Sequence, residues 1–92
     1  MIDESAFAAL LVAARGGDDA AVAVLFGEVH PRLLRFLRAR EPAAADDLAG
    51  EVWMAVATGL SRFAGDATAF RAWVFSIARR RIADHRRRGL RR

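Results

Sequence analysis

The apolar positions along this chain recur at helical spacing, and no run alternates between apolar and polar residues as a half-buried strand would. The first helix is predicted to begin after a cap at Asp3 or Ser5 and to end at Gly16–Gly17. Its apolar face comprises Phe7, Leu10, Leu11 and Ala14. Because 92 residues suffice for one small core, residues 1–92 are predicted to form a single all-α domain, a compact bundle of about four helices.

The second helix is predicted to begin at Asp18–Asp19 and to close at Glu41–Pro42. Pro31 lies inside this segment and should kink the helix near His30 or split it, because proline lacks an N–H and its ring clashes with the preceding turn. The apolar stripe of this helix comprises Val22, Leu25, Phe26, Val29, Leu33, Phe36 and Leu37.

A third helix is predicted over residues 43–60, and at about 100° per residue it has two apolar faces. The core face comprises Leu48, Val52, Ala55, Val56 and Gly59. The other comprises Ala49, Gly50, Trp53, Ala57 and Leu60, bordered by Asp46, Asp47 and Glu51. Small residues around a tryptophan are typical of a docking surface, and the acidic border favours a basic partner. The alternative is that Trp53 packs under the first helix, since large aromatic residues usually belong to the core.

The last helix is long and rich in arginine. Its predicted core face comprises Phe70, Trp73, Val74, Ile77 and Ala78. The opposite side carries Arg71, Arg79 and Arg86 with Phe75 and Ile82 at its edge, and a second cationic row formed by Arg80 and Arg87. Arginines beside an aromatic ring can hold phosphates while bases stack, as in single-strand binders. The alternative is a solvated charged face with Phe75 as peripheral core.

Charge is concentrated at one end of the chain. Residues 1–75 hold seven Arg against ten acidic residues, a net charge of −3, whereas residues 76–92 hold eight Arg against Asp84 alone, a net charge of +7. Such an asymmetry is typical of proteins that bind a polyanion, most simply nucleic acid. All 15 basic residues are Arg, which binds phosphate bidentately and stacks on flat rings. Codon bias is the alternative explanation for the missing Lys.

Catalytic and metal chemistry is not indicated. His30 and His85 lack ligand spacing, and no paired carboxylates, Ser/His arrangement or glycine-rich phosphate loop stands out. We therefore expect no catalysis, no metal and no cofactor. The chain has no Cys, no cationic leader and no apolar run long enough to span a bilayer, so a cytoplasmic protein without a membrane partner is expected.

Three segments in order resemble the second conserved domain of bacterial sigma factors, and most of all the small extracytoplasmic-function (ECF) group. They read LFGEVHPRLLRFL, DDLAGEVWMAV and LSRFAGDATAFRAWVFSIARRRIADHRRR. The resemblance runs from about Val22 to Arg92, and the first helix fits the leading helix of the family. It implies a non-enzymatic transcription initiation module.

The resemblance also implies roles for particular residues. In that family the third helix docks on the coiled coil of the RNA polymerase clamp, which would involve Asp46, Asp47, Gly50, Glu51, Trp53 and Ala57. The loop at residues 61–68 would capture a flipped base of the promoter minus-ten element, and the last helix would follow the non-template strand and help to open the duplex. The DNA-binding residues would be Arg62, Phe63, Gly65, Asp66, Thr68, Arg71, Phe75, Arg79, Arg80 and Arg86. An anti-sigma factor is a further implied partner.

The chain departs from the family pattern at two positions. Gly50 stands where many members have Gln, which removes a polar polymerase contact, and Arg80 stands where many have an Asn that helps to read the captured base. The minus-ten preference is therefore expected to differ. Family members normally carry a second, helix-turn-helix domain that reads the minus-thirty-five element, and no residues here correspond to it, so the chain is expected to be an isolated domain or a truncated form of a longer protein.

Two other functions compete with this interpretation. A generic helical DNA-binding protein that works without RNA polymerase would explain the charge but not the surface around Trp53. A protein-interaction domain with a disordered, solubilising arginine tail would leave partner binding intact when the tail is lost. An amphipathic membrane binder is disfavoured, because the apolar stripe of the last helix is needed for the core.

Overall fold

The computed structural model describes residues 2–90 and contains four α-helices in that range. They are α1 (Glu4–Arg15), α2 (Asp19–Arg40), α3 (Ala45–Gly59) and α4 (Ala67–Leu90), and one turn of 3-10 helix, Leu60–Arg62, follows α3. No strand occurs among the residues described. The predicted all-α bundle with a long last helix is confirmed.

Aspartates start three of the four helices. Asp3 Oδ1 accepts a hydrogen bond from the amide of Ala6 at 2.8 Å, so Asp3 rather than Ser5 caps α1. Asp18 Oδ1 accepts from the first amides of α2 at 3.0 and 3.2 Å, and Asp66 Oδ1 accepts from the amide of Ala69 in α4 at 2.8 Å. These bonds satisfy N–H groups that have no partner inside the helix. No side chain caps α3, which begins at Ala45, two residues later than predicted.

α2 runs without a break through Pro31, so the predicted alternative of a split helix is wrong. Pro31 lies on the exposed side of α2. The buried residues lie on the opposite side of the helix and continue at regular spacing on both sides of Pro31. The buried residues of α2 are Ala21, Leu25, Val29, Leu33 and Leu37.

The core is a single cluster of aliphatic and aromatic side chains to which all four helices contribute. Its largest fully buried members are Phe7, Phe70, Leu11, Leu33, Leu37, Leu48, Val52 and Val74. No polar or charged side chain is buried among residues 2–90. α3 packs between α2 and α4, while α1 packs on α2, on α4 and on the 3-10 turn.

The structure corrects several predicted faces. Ala49 and Leu60 belong to the core, at 3% and 8% exposure, because α3 packs between α2 and α4 and the 3-10 turn that holds Leu60 packs on α1. Ile82, predicted at the edge of the cationic side, is buried at 5%. Conversely, Val22 and Phe26 are 39% and 36% exposed rather than part of the α2 core stripe. The predicted core positions Leu10, Ala55, Gly59 and Trp73 are half-buried.

Candidate functional site

The outward side of α3 carries all six residues predicted to contact polymerase. Asp46, Gly50, Trp53 and Ala57 follow one another at spacings of four, three and four, which places them in one line along the helix. Asp47, Glu51 and Met54 flank this line. Trp53 and Glu51 are half-buried and the other five are exposed. We call these seven residues the Trp53 surface.

Trp53 lies against α2. The alternative prediction, that it packs under α1, is wrong. Its indole Nε1 donates a hydrogen bond to Nδ1 of His30 at 3.0 Å. The ring of Phe26 lies 4.9 Å from the indole and stacks on the His30 imidazole at 4.4 Å with the planes 18° apart. Trp53 is thus fixed at one edge and presents the remainder of its ring at the surface.

An apolar groove of about 240 Å³ opens beside Trp53, between α2, α3 and the 3-10 turn. Its lining residues are Val22, Leu25, Phe26, Trp53, Val56, Ala57, Leu60 and Phe70. The exposed parts of Val22 and Phe26 therefore extend the Trp53 surface onto α2. The sequence pattern placed both residues in the core. The apolar face of α2 is wider than the core needs, and the sequence alone does not show which part of that face the other helices cover.

Met54 was also missed by the sequence reasoning, although it is 72% exposed. Its place on the helical wheel, between Gly50 and Asp47, could have revealed it. Within residues 2–90 the acidic border of the surface forms one ion pair, between Arg38 Nη2 and Asp46 Oδ1 at 3.8 Å. Both side chains are largely exposed, so this pair contributes little to stability.

The loop between α3 and α4 is built on Phe63. Its ring stacks on Trp73 with centroids 4.9 Å apart and planes 19° apart, and it meets Phe70 edge-on at 5.7 Å. Arg15 Nη1 donates a hydrogen bond to the carbonyl of Phe63 at 3.0 Å, which ties the loop to the end of α1. The loop is therefore anchored to both α1 and α4.

Gly65 and Asp66 have evident structural roles in this loop. Gly65 has φ +148°, and a Cβ there would lie 2.8 Å from Ala69 Cβ and 3.0 Å from Phe63 Cζ. Only glycine adopts this backbone conformation readily. Asp66 caps α4, as described above. Arg62, which ends the 3-10 turn, and Thr68, in the first turn of α4, are also predicted to contact DNA and are exposed.

A second groove runs along α4 from Trp73. It has a volume of about 380 Å³ and is lined by Ala55, Trp73, Ile77, Arg80, Arg81 and Asp84. The end of α3 approaches Trp73 so closely that a Cβ at Gly59 would lie 2.9 Å from Trp73 Cζ2. Among the predicted DNA contacts, Arg80 lines this groove together with Trp73, on which Phe63 stacks. We call it the Trp73 groove. Trp73 and Arg81 were not predicted as site residues.

Three predicted DNA contacts lie on the side of α4 that faces α1 and α2. Arg71 Nη1 pairs with Glu4 Oε1 at 3.1 Å and its guanidinium lies 4.4 Å from the ring of Phe7. Phe75 meets Phe36 edge-on at 5.2 Å. Arg86 Nε pairs with Glu41 Oε2 at 2.6 Å. Arg71 and Phe75 line a separate groove with Arg32 and Arg35 of α2, so the structure does not bring them together with Arg80.

Arg79 and Arg80 are exposed and form no ion pair with any residue in the range 2–90. Arg87, in contrast, pairs with Asp84 one turn away. An unpaired arginine offers its full charge and all its donors to a phosphate. Arg62 is likewise exposed and forms no ion pair in that range, so these three residues are the predicted cations best placed to act on a polyanion.

Within residues 2–90 no group of three or more His, Cys, Asp or Glu side chains could hold a metal ion. A search of the same part of the chain for a helix long and apolar enough to cross a membrane finds none.

Comparison with known proteins identifies the domain. Residues 25–92 match the family model of sigma-70 region 2. The chain is also 39% identical, over 90 aligned residues, to the ECF RNA polymerase sigma factor ShbA of Streptomyces griseus subsp. griseus. The alignment covers 90% of this chain and 47% of that relative, so the chain spans about half the length of the curated relative it matches. No solved structure matches the chain. The chain belongs to the sigma-70 family, as a region 2 domain of the extracytoplasmic-function type.

Proposed function

We propose that this domain is a non-enzymatic transcription initiation module that docks on core RNA polymerase and recognises and melts the promoter minus-ten element. The supporting observation is that it has two chemically opposite surfaces on different sides of α3. Trp53 and Ala55 are two residues apart, which places the Trp53 surface and the Trp73 groove about 160° apart around the helix. Polymerase and DNA could therefore be held at the same time.

The Trp53 surface is the proposed polymerase contact, with the coiled coil of the clamp as the partner. A half-buried indole surrounded by exposed small residues is the composition of an interface hot spot, and the adjoining groove would admit an apolar side chain. Asp46, Asp47 and Glu51 would attract a basic helix and set its orientation. An anti-sigma factor that covered this surface would compete with polymerase.

The Trp73 groove and the loop before α4 are the proposed contact for the non-template strand. Unstacking a base costs a few kcal/mol, and stacking on an aromatic side chain returns about 1–3 kcal/mol per base. The loop from Arg62 to Thr68 would receive the flipped base. Arg79 and Arg80 would neutralise the phosphates on either side of it.

Arg71, Phe75 and Arg86 would contribute less to this contact. Arg71 and Arg86 already form ion pairs with Glu4 and Glu41, and Phe75 is packed on Phe36. A phosphate would have to displace a carboxylate at each arginine. These three residues would extend the cationic face once DNA lies along α4. Since the domain acts on chromosomal promoters, its place of action would be the cytoplasm.

Binding of the chain to purified core RNA polymerase tests this proposal. Trp53→Glu should weaken binding by about 30-fold or more, the loss expected on removing a hot-spot residue. Val12→Glu is the matched control, since Val12 is 63% exposed on α1 and the same charge is introduced. Equal polymerase affinity of the wild type and Trp53→Glu would refute the docking assignment. Salt-sensitive duplex binding with no affinity for polymerase would favour the generic DNA-binding alternative.

A further inference from the structure

His30 forms a three-ring cluster with the tryptophan of the docking surface. Its imidazole is half-buried between Phe26, stacked at 4.4 Å, and Trp53, whose indole N–H donates to Nδ1 at 3.0 Å. The centroids of the His30 and Trp53 rings are 6.2 Å apart. The cluster joins α2 to α3 directly behind the exposed part of the Trp53 ring.

The hydrogen bond dictates the protonation of His30. The indole N–H is only ever a donor, so Nδ1 must offer a lone pair, and the single ring proton of the neutral imidazole is then on Nε2. An imidazolium has N–H groups at both nitrogens and cannot accept this bond. Protonation of His30 would therefore set two N–H groups against each other and release the edge of Trp53.

No ion pair holds His30 in its charged form. The charged residues on the two helices that enclose it are Glu28 and Arg32, one turn or less away on α2, and Asp46, Asp47 and Glu51 on α3. None of these, nor any other residue in the described part of the chain, forms an ion pair with His30. The partner that the structure provides is the donor on Trp53.

We propose that His30 is a positioning residue for polymerase docking: its Nδ1 accepts the indole N–H and holds Trp53 in the orientation that polymerase binds. This inference rests on the proposed role of the Trp53 surface. An interface that buries Trp53 also removes water from its N–H, so a partner for that N–H must already be in place. His30 supplies it from inside the domain, and the clamp need not.

A double-mutant cycle on polymerase affinity measures the contact. His30→Leu removes the acceptor and should weaken binding about three- to tenfold, the range for one hydrogen bond. Trp53→Phe removes the donor and retains an aromatic ring. In the Trp53→Phe background, His30→Leu should have little further effect, because the bond is already absent. Additive effects of the two changes would overturn the proposal.

Rescue separates positioning from a general loss of structure. Asn places its Oδ1 one bond from Cγ, where His has Nδ1, so His30→Asn should restore most of the affinity lost in His30→Leu. His85→Asn is the matched control, since His85 lies on α4 beside Glu41 and far along the chain from Trp53. Failure of His30→Asn to bind better than His30→Leu would contradict an acceptor role.

The docking role of the Trp53 surface and the positioning role of His30 can be tested separately. Loss of polymerase binding in Trp53→Glu together with wild-type binding in His30→Leu would retain the docking surface and reject His30. Unchanged binding in Trp53→Glu would reject the docking surface itself. The emission of Trp53 in a Trp73→Phe background tests the contact without polymerase: it should shift in His30→Leu and return in His30→Asn, and an unshifted spectrum would show that His30 does not hold Trp53.

Discussion

Phe63 and Trp73 are stacked face to face, with ring centroids 4.9 Å apart and planes 19° apart, and this contact joins the loop before α4 to the first turns of that helix. Phe70 meets both rings edge-on or nearly so, at 5.7 and 5.9 Å, and is itself buried. Aromatic pairs of this kind contribute about 0.5–1.5 kcal/mol beyond the area they bury. The platform proposed for the DNA strand is thus rigid before DNA arrives, and it is continuous with the core.

Two glycines of α3 should respond in opposite ways to alanine. Gly50→Ala should stabilise the domain by about 0.5–1 kcal/mol, because alanine loses less backbone entropy in a helix and a Cβ there meets nothing within 4 Å. Gly59→Ala should destabilise it by about 1–3 kcal/mol, since the new Cβ would lie 2.9 Å from Trp73 Cζ2 and displace the stacked indole. Thermal unfolding measures both.

A change of about 1 kcal/mol shifts the midpoint of a domain of this size by about 4–8 °C, which is easily resolved. An equal rise in the unfolding temperature of both glycine variants would mean that Trp73 moves aside without a loss of stability. The stack with Phe63 would then not be the rigid platform described here.

Asp66 should matter to the stability of α4 whether or not it touches DNA. Asp66→Ala removes the acceptor for the amide of Ala69 and should cost about 1 kcal/mol of unfolding free energy. Asp66→Asn retains a capping oxygen and should cost less. Chemical denaturation of the two variants measures how much the cap contributes to the free energy of unfolding.

The same two variants separate capping from recognition of the strand. If Asp66→Asn keeps both stability and affinity for minus-ten single strands, the role of Asp66 is structural. If it keeps stability but loses affinity, the carboxylate contacts the base directly. A full loss of stability in Asp66→Asn would contradict the capping role.

Charge reversal should show whether the unpaired arginines of α4 bind DNA. Arg79→Glu with Arg80→Glu should reduce affinity for minus-ten single-stranded DNA by about tenfold or more and lower its salt dependence, because phosphate contacts release counterions. Polymerase affinity should remain unchanged. Filter binding or fluorescence anisotropy over a range of salt concentrations measures this.

The control is the same double reversal on α2, Arg32→Glu with Arg35→Glu, which changes the net charge identically but lies beside the other groove. It should weaken DNA binding only slightly. Equal losses in the two double variants would mean that net charge alone governs binding and that the Trp73 groove has no special role.

Helix existence, helix type and most of the core could be predicted from local pattern. Leu33, Leu37 and Val52 lie at helical spacing among polar residues and are fully buried, as predicted. The cap residues Asp3 and Asp18 could also be identified, because a side-chain oxygen before a helix acts on amides only two or three residues away. Interactions between residues two or three positions apart can be predicted from the order of the residues alone.

The division of the apolar arcs between core and surface could not be predicted in the same way. Ala49 is buried in α3, which lies between α2 and α4, and Leu60 is buried in the 3-10 turn, which packs on α1. Phe26 remains 36% exposed although Trp53 lies against one side of its ring. The sequence shows how wide an apolar arc is. Only the neighbouring helices decide which part of it they cover.

The candidate site likewise combines properties that the sequence predicts with contacts that only the fold decides. The order of residues alone was enough to predict an acidic, Trp-bearing docking helix and a strongly cationic last helix, since each property belongs to one continuous segment. That Arg71 and Arg86 are held by Glu4 and Glu41 while Arg79 and Arg80 are unpaired depends on residues more than forty positions away. The bond from Trp53 to His30 likewise joins two helices. Such pairings arise when the bundle closes, because a side chain's partners are set by packing in three dimensions and not by its own segment.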